Sequence, residues 1–237
     1  MILLTLWLFS NRHMTATCSL HVNCGGNDLA DRENEQSVLY EGDANVDGGA
    51  ARLYKAARNW GLSSTGDLMD DNNFQNARYA ESLQGNTTRL SPLTLTYFSY
   101  CLENGEYSVK LHFAEIQFTN DSTYKSLGRR IFDIYIQRVR KDFNIEDEAG
   151  GVGRPVVVPF NASVTDSILE IRFYWAGKGT TRFPKAGVYG PLVSAIDIDP
   201  HFKTCSMGGK KSNKAVYIGV GIAAPFLIFL ILVVLWR

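Results

Sequence analysis

The chain has 237 residues, with 24 basic and 24 acidic side chains and no net formal charge. That balance removes the phosphate-directed attraction on which nucleic-acid binding rests, and it selects no other partner. With both ends set aside about 185 residues remain, roughly one domain and enough to bury a core without staples.

Residues 2–9, ILLTLWLF, are a short apolar run followed by Thr15-Ala16-Thr17. Residues 1–17 read either as a secretory signal cleaved near Ala16 or, since no basic residue precedes the run, as the remnant of a longer upstream chain. The cysteines are Cys18, Cys24, Cys101 and Cys205. None forms a Cys-x-x-Cys pair, so zinc is not expected, and no other metal or cofactor is called for. An even count in a secreted domain points to two disulfides, with three connectivities open. From 28 to 66 turn chemistry dominates, with one short helix expected near residues 50–57. Asp43-Ala44-Asn45-Val46-Asp47-Gly48 matches the first half of a calcium loop, but Tyr54 occupies the twelfth position, where a bidentate Glu belongs. An Asx- and Gly-rich surface turn accounts for it better.

Strand signals dominate the rest. Residues 93–101, LTLTYFSYC, are β-branched and aromatic, and Asn104-Gly105 then leads into 107–118, the pattern of a β-hairpin. Alternation places Phe132, Ile134 and Ile136 on one face of their strand. It does the same for Leu169, Ile171, Phe173 and Trp175, and for Leu192, Ser194, Ile196 and Ile198. No 3.6-residue period competes, so the prediction is an all-β sandwich or jelly roll. Gly150-Gly151-Val152-Gly153 lacks the strand–turn–helix setting of a phosphate loop and reads as a turn.

Residues 110–118, KLHFAEIQF, carry a His and a Glu three apart. Val109, Leu111 and Phe113 share one parity; Ile116 and Phe118 share the other. A straight strand cannot bury both sets on one face, so a β-bulge near Ala114-Glu115 is needed, or a central strand covered on both sides. His112 and Glu115 point to opposite faces and cannot act as an acid–base pair; a structural polar network is expected. No motif brings two carboxylates together and no nucleophile elbow is present, so no enzymatic activity is expected.

Three sequons, at Asn86, Asn120 and Asn161, point to an extracellular glycoprotein. A polar linker over 208–214 leads into 215–236, AVYIGVGIAAPFLIFLILVVLW, which is uncharged. At about 1.5 Å per residue this reaches roughly 33 Å, so a single transmembrane helix in contact with lipid is predicted. Lys210, Lys211 and Lys214 precede it and Arg237 follows. Flanking charge taken alone would put the domain in the cytoplasm, against the sequons. Aromatic residues, among them Tyr79, Phe118, Tyr174, Trp175 and Tyr189, could supply a surface on which sugar rings stack.

Further motifs run along the chain in order. SLHVNCGG (19–26), YEGD (40–43), NWGLSSTG (59–66), CLENG (101–105) and LHFAEI (111–116) come first. IFDI (131–134), KDFNI (141–145), AGGVG (149–153), YWAGKGT (174–180) and GVYGPLVSAI (187–196) follow. This series resembles the malectin domain of plant leucine-rich-repeat receptor-like kinases over residues 19–202. The resemblance implies a malectin-type jelly-roll-like β-sandwich outside the cell, followed by a single transmembrane helix in the plasma membrane. The expected organisation is residues 1–17 as described, 18–205 the malectin domain, 206–214 a juxtamembrane linker and 215–236 the span. The resemblance also implies carbohydrate binding. Tyr79 matches a ligand-contacting Tyr, and Phe118 matches an aromatic contact. Gln117 stands where malectin has a Tyr. The Asp expected before the late Pro falls near Tyr189-Gly190, where there is none. The implied partner is therefore a glycan or cell-wall oligosaccharide or, if sugar binding has been lost, a receptor ectodomain. No leucine-rich repeats precede Cys18 and no kinase follows Arg237, so the expectation is a receptor-kinase fragment or a small membrane-bound relative. The disulfides expected are Cys24–Cys101 and Cys18–Cys205, the second tying the domain termini together.

Overall fold

The alternating runs do form strands, and their inward side chains meet between two sheets. The structure is a computed structural model that describes residues 17–31, 38–44, 51–55, 59–66, 77–78, 87–116, 118, 128–179 and 189–202. The chain divides into two compact units, Met1–Cys205 and Ser206–Arg237, and the described residues all lie in the first. Its strands begin with Leu20–Asn23 (β1), Leu29–Asp31 (β2), Val38–Gly42 (β3), Ala51–Lys55 (β4) and Trp60–Thr65 (β5). Ala77–Arg78 (β6), Thr87–Leu90 (β7), Thr94–Tyr100 (β8), Gly105–Ala114 (β9) and Phe132–Ile136 (β10) follow. Arg138–Phe143 (β11), the short helix Ile145–Ala149 (α1), Pro155–Val164 (β12), Ile168–Tyr174 (β13), Leu192–Val193 (β14) and Ala195–Pro200 (β15) complete the order.

One six-stranded sheet has the order β12-β9-β15-β1-β3-β2 and the other β11-β10-β13-β8-β5-β4; β14-β7-β6 form a small third sheet. The core is filled from both large sheets. Phe113 of the first lies 4.9 Å from Phe143, 6.0 Å from Phe132 and 6.1 Å from Phe173 of the second, between ring centroids. Such tilted and edge-on rings add to the area they bury. Leu169, Ile171 and Phe173 are buried as their alternation requires, and so are Phe132, Ile134 and Ile136. Trp60 is buried with them and donates its indole N–H to Glu41 Oε2 at 2.9 Å, from the second sheet to the first.

Five expectations need correction. Asn104-Gly105 does not close a hairpin: β8 pairs with β13 and β5, whereas β9 pairs with β12 and β15. The connection instead carries the chain from one sheet to the other, with Cys101 in the left-handed region at φ 61° and the Asn104 side chain accepting from Ser167 N–H at 2.9 Å. In place of a helix near residues 50–57 the chain forms β4, paired antiparallel with β5 from Ala51↔Thr65 to Lys55↔Gly61. Ladder pairing overrides the local helix preference of Ala, Arg and Leu. The 192–198 run is broken at Ser194 into β14 and β15, which belong to different sheets. Neither reading of 110–118 is needed: β9 is central in its sheet, but its outer face is partly open, with Glu106 and Lys110 exposed, and its register with β12 runs unbroken to Ala114. β9 lies between β12 and β15 and stops at Ala114, so Ile116 and Phe118 belong to the loop beyond it.

The fifth correction concerns the cysteines. Cys24 and Cys101 are thiols and not a disulfide. Thr17 bridges Leu102, with its N–H on Cys101 O at 2.9 Å, so Cys101 sits beside the start of β1. Cys24 lies past the other end of that strand, on the order of 20 Å away at about 3.3 Å per residue. A disulfide requires Cα atoms within about 7 Å. Cys18 is disulfide-bonded, and Cys205, its expected partner, lies outside the described residues. So do residues 215–236; among the described residues no helix is long and apolar enough to cross a membrane.

Burial pushes the Cys24 thiol well above its ordinary range, and the nearby Asp43 carboxylate adds to this. A maleimide reagent at neutral pH should therefore label Cys101, which is half-buried, in the native protein, and reach Cys24 only after unfolding. Peptide mapping of the labelled protein reads this out.

Candidate functional site

The ends of β1, β3, β9 and β13 and the starts of β8, β10 and β14 gather at one end of the sandwich, as the registers require. Two buried ion pairs hold the loops there. Asp43, the last residue of YEGD, is 1% exposed. Its Oδ1 accepts from Arg89 Nη2 at 2.8 Å and its Oδ2 from Arg89 Nε at 3.2 Å. Tyr97 O–H donates to Oδ2 at 2.6 Å, and Gly25 N–H donates to Oδ1. Asp43 follows β3 in the first sheet, Tyr97 belongs to the second and Arg89 to the third, so one carboxylate joins all three. Gly25 is also packed against β7: a Cβ there would lie 2.4 Å from Thr88 O. Asp43 is thus committed to the Arg89 guanidinium and not to a metal ion. Burial lowers the Arg89 pKa, but the Asp43 charge more than offsets this and raises it overall. Burial and Asp43 together push the Tyr97 phenol well up.

The second pair joins Glu115, from LHFAEI, to Arg130. Arg130 Nε donates to Glu115 Oε2 at 2.7 Å and Nη2 donates to Oε1 at 3.3 Å. Arg130 Nη1 reaches Gly190 O at 2.7 Å, while Phe118 N–H donates to Glu115 Oε1 at 3.2 Å. Gly153 N–H meets Glu115 O at 2.9 Å, which gives the glycine turn after α1 its anchor. Gly190 has φ +92°, and a Cβ on it would lie 2.0 Å from Ser91 O, so only glycine fits. The pair therefore fixes the 189–191 loop against β7.

His112 and Glu115 do not meet, as expected of opposite faces. His112 Nε2 is 2.7 Å from Asp197 Oδ2, and His21 Nδ1 is 3.1 Å from Asp197 Oδ1. These groups lie on the outer face of the first sheet, with Tyr40 5.3 Å from the His21 ring. Burial alone would raise the Asp197 pKa, but hydrogen bonds from His112 and His21 hold it well below the usual carboxylate range. The arrangement is a structural network, with each Asp197 oxygen held by a different histidine.

The residues expected to contact sugar divide unevenly. Tyr79 and Gln117 lie outside the described residues. Phe118 is 2% exposed, with the Arg130 guanidinium 5.2 Å from its ring centroid. Tyr189 is half-buried and packs on Trp175, centroids 5.2 Å apart. Trp175 N–H of the backbone donates to Leu93 O, and its indole N–H to Lys178 O, both at 2.8 Å. An aromatic pair, partly open and held by backbone contacts, therefore stands beside the Arg130–Gly190 clamp. Of the sequons, Asn86 and Asn120 lie outside the described residues, while Asn161 is exposed on the edge strand β12. Sequence reasoning missed Arg89 and Arg130 as partners. The only signal was an arginine directly before an apolar residue, Leu90 or Ile131.

Residues 18–196 match the family model described as Malectin domain. The chain is 53% identical over 227 residues to "Probable LRR receptor-like serine/threonine-protein kinase RFK1" of Arabidopsis thaliana, covering 92% of this chain and 22% of that protein. A second LRR receptor-like kinase of the same plant is 41% identical over 236 residues, covering 92% of this chain and 23% of that protein. The crystal structure of the plant receptor-like kinase FER is 17% identical, with a TM-score of 0.48, covering 79% of this chain and 43% of that one. The chain belongs to the malectin domain family and is similar to the malectin part of plant LRR receptor-like kinases. It spans about a fifth of the length of these curated relatives.

Two measurements test the site. Replacing Arg130 by Met removes the counter-charge of the buried Glu115 carboxylate and should cost about 3–5 kcal/mol; adding Glu115→Gln should recover part of that, read from urea midpoints. For Asp197, the lowered pKa means the folded protein binds fewer protons than the unfolded one below the ordinary carboxylate value of about 3.9. Its contribution is complete above that value, begins to fall as pH drops through it, and is lost as pH falls through the lower folded pKa. Between about pH 5 and 3 the urea midpoint of the wild type should fall more steeply than that of Asp197→Asn.

Proposed function

We propose that this chain is the extracellular ligand-binding domain of a plasma-membrane receptor-like protein, and that it recognises a glycan or cell-wall oligosaccharide. The ligand would meet the loop end at Trp175 and Tyr189, with Tyr79 and Gln117 as further candidate contacts. The observation that carries this reading is the open aromatic pair on a rigid clamp, in a member of the malectin domain family. A pyranose offers an apolar ring face to such a pair, and the polar backbone around it suits sugar hydroxyls. The exposed Asn161 sequon supports an extracellular location. In this reading residues 215–236 span the membrane, Asn86, Asn120 and Asn161 carry glycans, and Cys18 pairs with Cys205. No catalytic role is assigned to the domain.

A second reading has its own observation. Phe118 is buried under Arg130, and Gln117 replaces an aromatic residue, so part of the sugar-stacking surface that the family resemblance implies is missing. A module that docks on a receptor ectodomain without binding sugar would need neither group.

The full chain in detergent, tested on a glycan array, separates the two. Binding that weakens about tenfold in Trp175→Ala or Tyr189→Ala, or about 1.4 kcal/mol, supports the first reading. Silence on every glycan, with retained binding to a receptor ectodomain, supports the second.

A further inference from the structure

The outer face of the β11-β10-β13-β8-β5-β4 sheet presents a patch that the loop-end site does not use. Along β13 Leu169, Ile171 and Phe173 enter the core, so Ile168, Glu170, Arg172 and Tyr174 stand outward. Ile168 is 56% exposed, Tyr174 39% and Val139, on β11, 47%. The side chains of Glu170 and Arg172 are about half exposed and approach to 3.9 Å. Arg172 does not project freely: its guanidinium lies over the Tyr135 ring, 4.8 Å from the centroid. Tyr135 is in turn in register with Val139. Asn161, the described sequon, lies on the edge strand of the opposite sheet.

The order apolar, acidic, basic, aromatic along β13 has a particular symmetry. When a second β13 is laid antiparallel across the first, with a two-fold axis over Ile171, position 170 meets 172 and position 168 meets 174. Glu170 then faces Arg172 of the second copy, and Arg172 faces its Glu170. Ile168 packs on Tyr174 of the second copy, and the reverse. A two-fold contact requires a patch that is complementary to itself in this way. Tyr and Arg are also the side chains enriched at interface centres. Because the two charges cancel locally, the patch gives no attraction to a strongly charged partner, and its charge order is matched by its own reversal.

We propose that this face binds a second copy of this chain through a two-fold contact centred on Ile171, with reciprocal Glu170–Arg172 pairs flanked by Ile168–Tyr174 packing. The proposal does not rest on what the loop end binds.

Two differently tagged copies of the full chain, co-expressed in membranes and co-precipitated, test it. Wild-type copies should recover each other. Glu170→Arg in both copies, or Arg172→Glu in both, places like charges across the axis and should reduce recovery about tenfold. A Glu170→Arg copy paired with an Arg172→Glu copy restores opposite charges at both contacts and should recover to within about twofold of wild type. That mixed pair also shows that both variants fold. Absence of wild-type association overturns the proposal, as does recovery indifferent to single reversals, which would place any association in another part of the chain. A mixed pair no better than the like pairs overturns it as well.

Discussion

The fold turns on one carboxylate. Asp43 is buried where the three sheets converge, and it accepts hydrogen bonds from the guanidinium of Arg89, the phenol of Tyr97 and the amide of Gly25. A buried carboxylate without partners would be prohibitively costly, so its position is tolerable only if all of these groups arrive together. Losing Arg89 leaves an uncompensated charge in the interior, a penalty of about 3–5 kcal/mol in comparable sites. Against a typical total of about 5–15 kcal/mol, this interaction decides whether the loop end is ordered.

The same logic repeats at Glu115 and Arg130, a pair just as deeply buried. From Asp43 the contacts run through Arg89 and Ser91 to the 189–191 loop, and from there through Gly190 O to Arg130 and Glu115. Rigid polar anchors beneath, and a partly open aromatic pair above, make a surface whose shape is fixed before a ligand arrives. Such preorganisation lowers the entropy lost on binding. The polar residues of LHFAEI serve the same end: His112 braces Asp197 within the sheet, and Glu115 braces the loop beyond it.

The legible parts of the sequence were those set by local alternation. Residues 168–174 and 131–137 show period two, and their inward side chains fill the core as read. The motif series also placed the chain in its family before any geometry was known. What escaped was set by distance along the chain. Asp43 and Arg89 are 46 residues apart and Glu115 and Arg130 are 15 apart. No local pattern announces either pair. Asn104-Gly105 misled because a turn signal reports chain reversal and not the sheet that the next strand joins. Residues 51–55 misled because helix preference in a five-residue run is weak against ten possible ladder hydrogen-bonding groups. Pairing Cys24 with Cys101 failed because β1 separates them by its full length.

Asp43 and Arg89 act as one unit, and a double-mutant cycle tests that most directly. Urea unfolding of the wild type, Asp43→Asn, Arg89→Met and the double variant gives their coupling free energy. A coupling of at least about 2 kcal/mol is the predicted result, with the double variant little worse than either single one. A coupling below about 0.5 kcal/mol, with the two costs simply adding, would show that each residue stabilises the domain on its own and that the three sheets are held together by something else.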